Sequence, residues 1–462
     1  MAVRENRMYI KNTSALVQNG RSDAERRARR LCLDAVEVAL SAVEPSGLVK
    51  SKVRVKEGKL IADGNEIDLT KFRKVFVIGG GKAALQMSEA LESILGDRID
   101  GGVVNVLESQ LARGNGRRIE LHGATHPLPS TMGEEGVMKM LEMVGKPDRE
   151  TLVVCLVSGG GSAMLPLPGE GVSLSDKVQV TQGLLRAGAT IQELNVVRKH
   201  LSAIKGGRLA QKLYPSVVLS LVISDVVGNK LDSIASGPLY PDPSTFKDAE
   251  RILRKYRLWT ATPRRVERTI QDGTNGKIPE TPKPGSKYFQ RVINVIVGSN
   301  EDACNAASRY FSRVGCRSTV LTTSYEGEAR SAGIFMGSVV QHGGAGRRPI
   351  SYVAGGETTV AVKGSGKGGR NQEFALGASM KIAGNGGIAL ISLGTDGLDG
   401  PTNAAGGVVD GFTVPRATAK GLLIEDSLLR NDSHGFLEEL GDLVITGPTG
   451  TNVNDIVVAV AV

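Results

Sequence analysis

The sequence predicts an α/β protein with mostly parallel sheets. Most of its β-like runs are continuously apolar rather than alternating, which is typical of strands covered on both faces. Helix-forming stretches separate these runs, and that alternation is typical of α/β folds. The runs cover residues 75–78, 102–106, 152–157, 217–223, 292–297, 318–321, 350–354, 388–393 and 456–462.

The elements follow from local patterns. Between residues 22 and 43, apolar residues recur at steps of three and four, which predicts an amphipathic helix with Ser22 and Asp23 as caps. The run 75–78, three glycines and the helix-forming stretch 83–95 then predict a strand, a turn and a helix. The last run, 456–462, predicts a buried strand that pairs within a sheet.

The length of 462 residues predicts two domains, because it exceeds what one hydrophobic core normally organises. Residues 271–287 are rich in Gly, Pro, Lys and Thr and lack apolar periodicity, so we expect a linker there. The expected domains are residues 1–270 and 288–462.

Composition narrows the function classes. Aromatic residues are only 4% of the chain, which argues against stacking platforms for nucleic acid. The 57 basic and 48 acidic residues give a net charge of +9, which indicates either a solvated basic surface or a field that attracts anionic substrates. Residues 1–14 lack an apolar signal core, and no run approaches the roughly 18 apolar residues of a membrane span. We therefore expect a cytoplasmic protein with no nucleic-acid or membrane partner.

The four cysteines include no C-x-x-C pair, and two of them lie in apolar runs. We expect reduced, structural thiols. They are Cys32, Cys155, Cys304 and Cys316.

Two glycine-rich turns directly follow β-like runs and predict phosphate binding. Exposed backbone N–H groups beside a helix start bind phosphate oxygens without a side chain in the way. Gly79, Gly80 and Gly81 precede Lys82, whose ammonium adds a positive charge at that place. In the second turn, Ser158, Gly159, Gly160, Gly161 and Ser162 predict an anion nest.

Other interpretations of these turns remain. Lys82 can be a solvated lysine at a helix start, and the second turn can be a tight turn without a ligand. The first turn lacks the P-loop spacing, and Ala84 stands where a dinucleotide fingerprint has its third glycine. Glu108 lies 27 residues past Gly81 and can imitate the acidic ribose-binding residue of that fingerprint. A nucleophilic serine is disfavoured, because Gly160 occupies the central position of the G-x-S-x-G pattern.

A cationic stretch follows at residues 195–208. On a helix Arg198, Ser202 and Lys205 share one face, so several donors can point into one cleft. Asn195 and Arg198 are candidate substrate-binding residues, and Lys205 is a candidate phosphate-binding residue. The alternative is an exposed basic helix. His200 is a weaker candidate for a general base, because a lone histidine is more often structural.

Carboxylates and one arginine complete the candidates. Asp225 ends the run 217–223, where open α/β sheets bind ligands, and can accept a hydroxyl proton, bind Mg²⁺ or cap a helix. Asp396 and Asp399 flank Gly397 and suit a hard cation, or form a self-capped turn. Arg370 closes a flexible glycine loop and can bind a carboxylate or phosphate bidentately, unless the loop is simply a mobile surface loop.

Taken together, these segments resemble the glycerate 2-kinase family of ATP-dependent sugar-acid kinases, whose C-terminal domain is named MOFRL. The resemblance covers most of the chain and is weakest around residues 260–290. Its segments are 77–84, 158–168, 195–210, 224–228, 234–246, 355–374, 394–406 and 431–455. Asn403 stands where many members of the family carry an aspartate, which argues against a direct metal role there.

The resemblance implies a larger, Rossmann-like N-terminal domain, a smaller MOFRL-type α/β domain and an active site in the cleft between them. It implies a phosphotransferase with ATP and Mg²⁺ that phosphorylates the 2-hydroxyl of D-glycerate, with Lys82, Asp225 and Arg370 as catalytic residues. Two alternatives remain: an NAD(P)H-dependent hydroxypyruvate reductase and a non-catalytic sensor of nucleotides or sugar phosphates. A homodimer also stays open.

Overall fold

The computed structural model describes residues 8–113, 118–346 and 348–462. Its α-helices are α1 (Thr13–Gln18), α2 (Asp23–Ala42), α3 (Pro45–Lys52), α4 (Ala84–Leu95), α5 (Thr131–Val144), α6 (Gly161–Met164), α7 (Leu174–Arg186), α8 (Ile191–His200), α9 (Arg208–Leu213), α10 (Phe246–Lys255), α11 (Arg264–Thr274), α12 (Asn300–Arg313), α13 (Ala329–Gly344), α14 (Arg370–Ile382), α15 (Thr413–Ala419), α16 (Ile424–Leu429) and α17 (Ser433–Leu440).

The strands are β1 (Val53–Lys56), β2 (Lys59–Ala62), β3 (Asn65–Asp68), β4 (Lys74–Gly80), β5 (Gly101–Leu107), β6 (Ile119–Ala124), β7 (Thr151–Val157), β8 (Val217–Ile223), β9 (Val292–Gly298), β10 (Arg317–Tyr325), β11 (Ile350–Gly356), β12 (Ile388–Gly394), β13 (Gly406–Asp410), β14 (Leu443–Val444) and β15 (Asp455–Ala461). Short 3₁₀ helices lie at Leu69–Lys71, Gly96–Arg98, Glu108–Arg113, Val227–Asn229, Ile234–Ser236, Trp259–Ala261 and Lys287–Phe289.

The chain divides into two compact units, but not at the predicted boundaries. The first unit, here called the C-terminal unit, combines residues 1–44 with 298–462, and the second, the central unit, covers residues 45–297. The expected domains 1–270 and 288–462 are corrected accordingly. The first 44 residues belong with the C-terminal sheet because α2 packs against α12, β12 and β15. Hydrophobic periodicity identifies a helix, but it does not identify the sheet that the helix covers.

The central unit contains a six-stranded sheet with the order β6-β5-β4-β7-β8-β9. The pairings of β4 with β5 and β7, of β5 with β6 and of β7 with β8 are parallel. Numbered from β4, this is the 3-2-1-4-5-6 order of a Rossmann fold. The predicted Rossmann-like architecture is confirmed, and its topological switch point lies between β4 and β7.

Burial explains the apolar character of these strands. Every residue of β7 is buried, and so are the last six residues of β4. Side chains of β4, β5, β7 and β8 pack with α5 and α9 into one cluster that includes Val103, Val153, Val137 and Leu213. Because helices cover both faces of these strands, their sequences are continuous apolar runs, as predicted.

The predicted linker 271–287 is also corrected, because α11 extends into it and the rest packs on the central unit. Glu280 accepts a hydrogen bond from the Phe246 amide at 2.9 Å, and the Thr281 hydroxyl donates to Asp242 at 2.9 Å. Thr281 is buried. Hydrogen bonds of polar side chains, rather than an apolar face, hold this segment in place. The hydrophobic pattern of the sequence therefore did not indicate that the segment is packed.

The sheet of the C-terminal unit has the order β10-β11-β15-β12-β13-β14. The β10–β11 pairing is parallel, but the other four are antiparallel. The expectation of mostly parallel sheets is therefore wrong here. The C-terminal strand β15 lies between β11 and β12 and runs antiparallel to both. The sequence predicted a buried strand here. It did not predict the strand's direction, because a strand whose residues are all apolar shows the same pattern whether it pairs parallel or antiparallel.

The helix α2 joins the C-terminal unit through a buried ion-pair network. It begins after Ser22 with a capping box closed by Glu25, which confirms the predicted cap at Ser22. The Arg29 guanidinium donates to Asp410 at 2.5 Å and to Asp442 at 2.8 Å, and all three side chains are fully buried. The two carboxylates raise the pKa of Arg29 although burial opposes it.

All four cysteines are buried free thiols, as predicted. Among the described residues, no helix combines the length and the apolar character that a membrane crossing requires.

Candidate functional site

Two glycine turns lie side by side at the switch point of the central unit. Gly81 and Lys82 follow β4, and the turn that begins at Ser158 follows β7, its parallel neighbour. The carboxyl ends of parallel strands at a switch point form the crevice in which open α/β sheets bind ligands. The sequence predicted phosphate binding at both turns, and the strand order places the two turns next to each other.

Hydrogen bonds join the two turns. The Lys82 amide donates to the Gly159 carbonyl at 2.8 Å, and the Ala83 amide donates to the Ser158 hydroxyl at 3.1 Å. A Cβ on Gly81 would lie 2.3 Å from the Ser158 oxygen, and the φ of Gly81 is +143°. Only glycine therefore fits at that position. A Cβ on Gly79 would lie 2.0 Å from the Leu156 carbonyl oxygen, and one on Gly80 would lie 3.1 Å from Asn105 Cβ, so both glycines serve the packing of the sheet.

Lys82 and Asp225 flank the second turn. A Cβ on Gly159 would lie 2.6 Å from Asp225 Oδ2, and one on Gly160 would lie 3.3 Å from Lys82 Cγ and 2.9 Å from the His126 ring. Gly160 has a φ of +80° and precedes α6. A cation, a carboxylate and an imidazole thus adjoin two consecutive glycines.

The segment 234–237 forms the next wall of the site. The Ser236 hydroxyl lies 2.9 Å from the Ser162 hydroxyl and donates to Asn195 Oδ1 at 3.1 Å. Lys205 Nζ donates to the Ala235 carbonyl at 3.2 Å. These bonds bring together three predicted residues from distant parts of the chain.

The backbone of this segment is strained. Ala235 and Ser236 have φ values of +50° and +62°, and Gly237 follows at +61°. A non-glycine residue in this region costs about 1–3 kcal/mol and persists only where the surroundings impose it. Such strain clusters at functional sites, which agrees with the position of the segment between Ser162, Asn195 and Lys205.

A pocket of 370 Å³ opens beside these residues, entirely within the central unit. Three cationic side chains line it: Lys177 from α7, Arg198 from α8 and Lys205. Lys177 is only 8% exposed and Lys205 only 2%. The rest of the lining is mostly apolar and includes Leu128, Ala163, Pro166, Leu174 and Val178.

Burial disfavours the charged forms of these three groups. It lowers the pKa of Lys177 to about 7, although Glu134 opposes the shift. It lowers the pKa of Arg198 to about 10. The pKa of Lys205 falls well below its usual range because of burial and of the charges on Lys177 and Arg198. Three basic groups that lie near one another in a mostly apolar pocket favour an anionic ligand, which would stabilise their charged forms.

The other residues of the cationic stretch are structural. Lys199 Nζ lies 3.4 Å from Asp242 in a buried ion pair. The His200 ring is bonded at both nitrogens, to the Val196 carbonyl at 2.8 Å and to Glu280 at 3.2 Å. His200 is therefore the structural histidine that the sequence favoured.

Arg370 lies in the C-terminal unit at the start of α14, and carboxylates hold its guanidinium. Nε and Nη2 donate to Asp455 at 2.6 and 2.9 Å, and Nη1 lies 2.9 Å from Glu357. Burial lowers the pKa of Arg370, but Asp455 and Glu357 outweigh it and raise the pKa overall. The predicted bidentate geometry is present, with Asp455 as the partner.

Asp399 and Asp396 are also engaged. Asp399 accepts hydrogen bonds from the Asn371 and Gln372 amides at 3.0 and 2.9 Å and from the Gln372 side chain at 2.9 Å, at the N-terminus of α14. Asp396 accepts from the Leu398 amide at 3.1 Å. The Asp396 arrangement matches the self-capped turn that the sequence left as the alternative to a metal site, whereas Asp399 caps a different element, the helix α14.

A magnesium site built only from protein ligands does not fit the described residues. They contain no group of three or more His, Cys, Asp or Glu side chains placed for a metal ion. Mg²⁺ commonly needs only one or two carboxylates together with substrate phosphates. Asp225, at the end of β8 beside the glycine turns, fits that simpler requirement better than Asp399, whose oxygens are already bonded.

Sequence reasoning missed Lys177, His126 and Ser236. Lys177 lies in an ordinary amphipathic helix, and nothing in its neighbours marks it as buried. His126 follows β6, which the sequence did not predict. The Ser-Gly-Pro stretch at 236–238 looks like any turn, and the positive φ of two non-glycine residues has no sequence signature.

Comparison with known families covers most of the chain. The family described as "Domain of unknown function (DUF4147)" matches residues 31–271. The MOFRL family matches residues 350–455. The first match includes most of the central unit, and the second lies within the C-terminal unit.

Among relatives, the chain is 42% identical to a protein named glycerate 2-kinase from Pyrococcus horikoshii, over 94% of this chain and 97% of the relative. It is 40% identical to a D-glycerate 2-kinase from Thermotoga maritima, over 94% and 98%. A crystal structure of a Thermotoga maritima glycerate kinase superimposes with a TM-score of 0.81 at 39% identity, over 94% of this chain and 99% of that one.

A weaker relative bears the name of the alternative activity. A protein named putative hydroxypyruvate reductase from Agrobacterium vitis is 38% identical over 82% of this chain and 97% of the relative. The higher identity and coverage lie with the glycerate kinases. The chain belongs to the glycerate 2-kinase family.

Proposed function

We propose that this protein is a kinase that transfers the γ-phosphoryl group of ATP to the 2-hydroxyl of D-glycerate. The observation that carries the proposal is the junction at the switch point, where Lys82 and Asp225 flank the turn Gly159–Gly160. In phosphoryl transfer the protein mainly positions groups and neutralises charge. A cation, a carboxylate and close-packed glycines provide those two functions.

Lys82 would bind a phosphate oxygen of the nucleotide. Its side chain adjoins Gly160, next to the start of α6, and glycines leave the backbone open to an anion there. The glycerate O2 attacks the γ-phosphorus and forms the new P–O bond, while the bond to the β,γ-bridging oxygen breaks. ADP leaves with that oxygen. Lys82 would stabilise the charge that moves toward the bridging oxygen.

Asp225 would take the proton from the attacking hydroxyl or hold Mg²⁺ together with the phosphates. When bound, Mg²⁺ would neutralise phosphate charge. The support for Asp225 is its place at the end of β8, against Gly159. Replacing it with Asn separates the two roles, because loss of a metal ligand raises the Mg²⁺ concentration needed for half-maximal rate and loss of a base does not.

Arg370 would have a smaller role than the bidentate binding of a ligand that the sequence suggested. Asp455 already occupies two of its nitrogens, so an anion would have to replace the half-exposed Glu357 at Nη1. We therefore place Arg370 as a group that orients Asp455 and contributes positive charge.

The test is direct. The purified protein is incubated with ATP, Mg²⁺ and D-glycerate, and the product is identified by ³¹P NMR. We expect 2-phosphoglycerate. Formation of 3-phosphoglycerate would contradict the regiochemistry. Oxidation of NADH or NADPH with hydroxypyruvate would favour the reductase, and ATP binding without ADP formation would favour the sensor.

Lys82→Met provides the matching variant. We expect kcat to fall by about 100-fold or more, in line with the loss of one preorganised charge in a transition state. Lys212→Met is the control, because Lys212 is an exposed lysine of the same unit and the charge change is the same. Near-normal turnover of the Lys82 variant would remove the assignment.

A further inference from the structure

We propose that Lys177, Arg198 and Lys205 form the binding site for the carboxylate of the acid acceptor, and that Lys177 is a specificity-determining residue. This inference rests on the proposed function, because it names the part of the substrate that the pocket holds. Lys177 was not among the residues that the sequence marked, and the glycine turns do not contain it.

The first argument is the charge balance. Among the described residues, none of the three cations lies within 4.0 Å of a carboxylate, whereas Lys199, in the same helix as Arg198, pairs with Asp242. Glu134 acts on Lys177 only from a greater distance. Burial of an unpaired charge is costly unless a partner arrives. An anionic ligand would supply that partner.

The second argument counts hydrogen-bond donors. Lys177 Nζ donates to the Pro166 carbonyl at 2.7 Å and to the Leu167 carbonyl at 3.4 Å, which leaves one donor. Lys205 uses one donor on the Ala235 carbonyl and keeps two. The Arg198 side chain makes no hydrogen bond within the described part of the chain, so its planar fork remains available. These donors suit the four acceptor positions of a carboxylate.

The third argument is size and lining. A volume of 370 Å³ lies at the small end of ligand pockets, which suits a short organic acid better than a nucleotide. Apolar side chains such as Leu174 and Val178 line the remaining wall and can contact the carbon atoms of such an acid. A triphosphate would leave that wall unused. The chemistry therefore points to the carboxylate rather than to the phosphate chain.

Proton uptake should accompany binding. Lys177, with a pKa lowered to about 7, is mostly neutral at pH 8 in the free protein. The charged groups that act on it are Glu134 from α5 and Arg198 from α8, and Lys177 in turn acts on Lys205. A bound carboxylate raises the pKa of Lys177. Binding at pH 8 should therefore take up a proton from the buffer.

The experiment is calorimetry of D-glycerate binding without nucleotide, at pH 8, in two buffers of different ionisation enthalpy. The proteins are the unchanged chain, Lys177→Met, Arg198→Met and the exposed control Lys212→Met. We expect both pocket variants to bind about 10- to 100-fold more weakly, as for loss of hydrogen bonds to a charged group. We expect the control to bind normally. Proton uptake should occur in the unchanged chain and be smaller in Lys177→Met, in which Lys205 is the remaining amine with a lowered pKa.

Arg198→Met keeps the test valid if Lys177→Met fails to fold, because the Arg198 side chain makes no hydrogen bond to the rest of the described protein. In steady-state kinetics it should raise KM for D-glycerate far more than KM for ATP. Unchanged glycerate affinity in Arg198→Met would overturn the inference, even if the protein is a kinase. Inorganic phosphate that binds in this pocket while D-glycerate does not would overturn it as well.

The proposed function can fail separately. If D-glycerate binds with the expected sensitivity but no phosphoglycerate forms with ATP, the carboxylate site stands and the kinase proposal falls. If phosphoglycerate forms and the pocket variants keep normal KM values, the kinase stands and the carboxylate site falls.

Discussion

Buried and half-buried cations have opposite surroundings in the two units. In the C-terminal unit, Arg29 lies between Asp410 and Asp442, and Arg370 lies between Asp455 and Glu357. In the central unit, Lys177, Arg198 and Lys205 share a pocket in which the described residues provide no carboxylate within ion-pair distance. The first arrangement pairs each charge within the fold, and the second would, on our proposal, obtain its counter-charge from a ligand.

The pKa shifts express the same difference. Carboxylates raise the pKa of Arg29 and Arg370 in spite of burial, whereas burial lowers the pKa of Lys177 and Lys205. A buried cation with a partner contributes to a folded structure, and one without a partner opposes it. The comparison therefore separates cations that have a carboxylate partner from cations that have none among the described residues.

Arg29→Met should have the largest effect on stability. It leaves Asp410 and Asp442 buried without Arg29, and loss of one partner of a buried pair costs about 3–5 kcal/mol. Urea unfolding followed by circular dichroism measures the change. A loss below about 1 kcal/mol would show that these charges are not balanced by Arg29, and the comparison would break there.

Lys205→Met should act in the opposite sense. It removes a fully buried basic group to which the described residues offer only a carbonyl partner, so the free energy of unfolding should stay within about 1 kcal/mol of the original or increase. Activity with D-glycerate should fall at the same time. The same urea titration, run beside Arg29→Met, checks this prediction. A destabilisation as large as that of Arg29→Met would mean that Lys205 is structural.

A third effect is a pH dependence of stability. The pKa of Lys177 is about 7 in the folded protein and 10.5 in its unperturbed form. Between these values the unfolded chain binds more protons, so the contribution of this group to stability rises with pH, by at most about 1.4 kcal/mol per pH unit. The difference in unfolding free energy between the original and Lys177→Met should follow that slope from pH 7 to pH 9. A flat difference would show that the amine is not desolvated.

Much of the fold could be predicted from the sequence. All nine apolar runs are strands, and burial on both faces explains the strong local signal of β7, β12 and β15. The direction of a strand and the sheet against which a helix packs leave no such local signal. The antiparallel pairing of β15 and the packing of α2 against the C-terminal sheet were therefore not predicted. Strands β1 to β3, β6, β13 and β14 were also missed, and several of them are short or partly exposed.

The candidate site could be predicted where its polar or charged residues directly follow a strand. Lys82, Ser158 and Asp225 stand out because glycine or polar residues interrupt an apolar run, and the Rossmann order then brings them together. Contacts between side chains that are far apart in the sequence could not be predicted. Arg370 is engaged by Asp455, 85 residues away, and Lys177 enters the pocket from a helix face that looks ordinary. Their roles depend on which charges have partners, and that is a property of the fold.

The most direct test of the central claim is a crystal structure of the protein with D-glycerate. The account predicts the carboxylate within hydrogen-bond distance of Arg198 and of at least one of Lys177 and Lys205. D-glycerate bound at Arg370, with the pocket of the central unit holding only solvent, would contradict it.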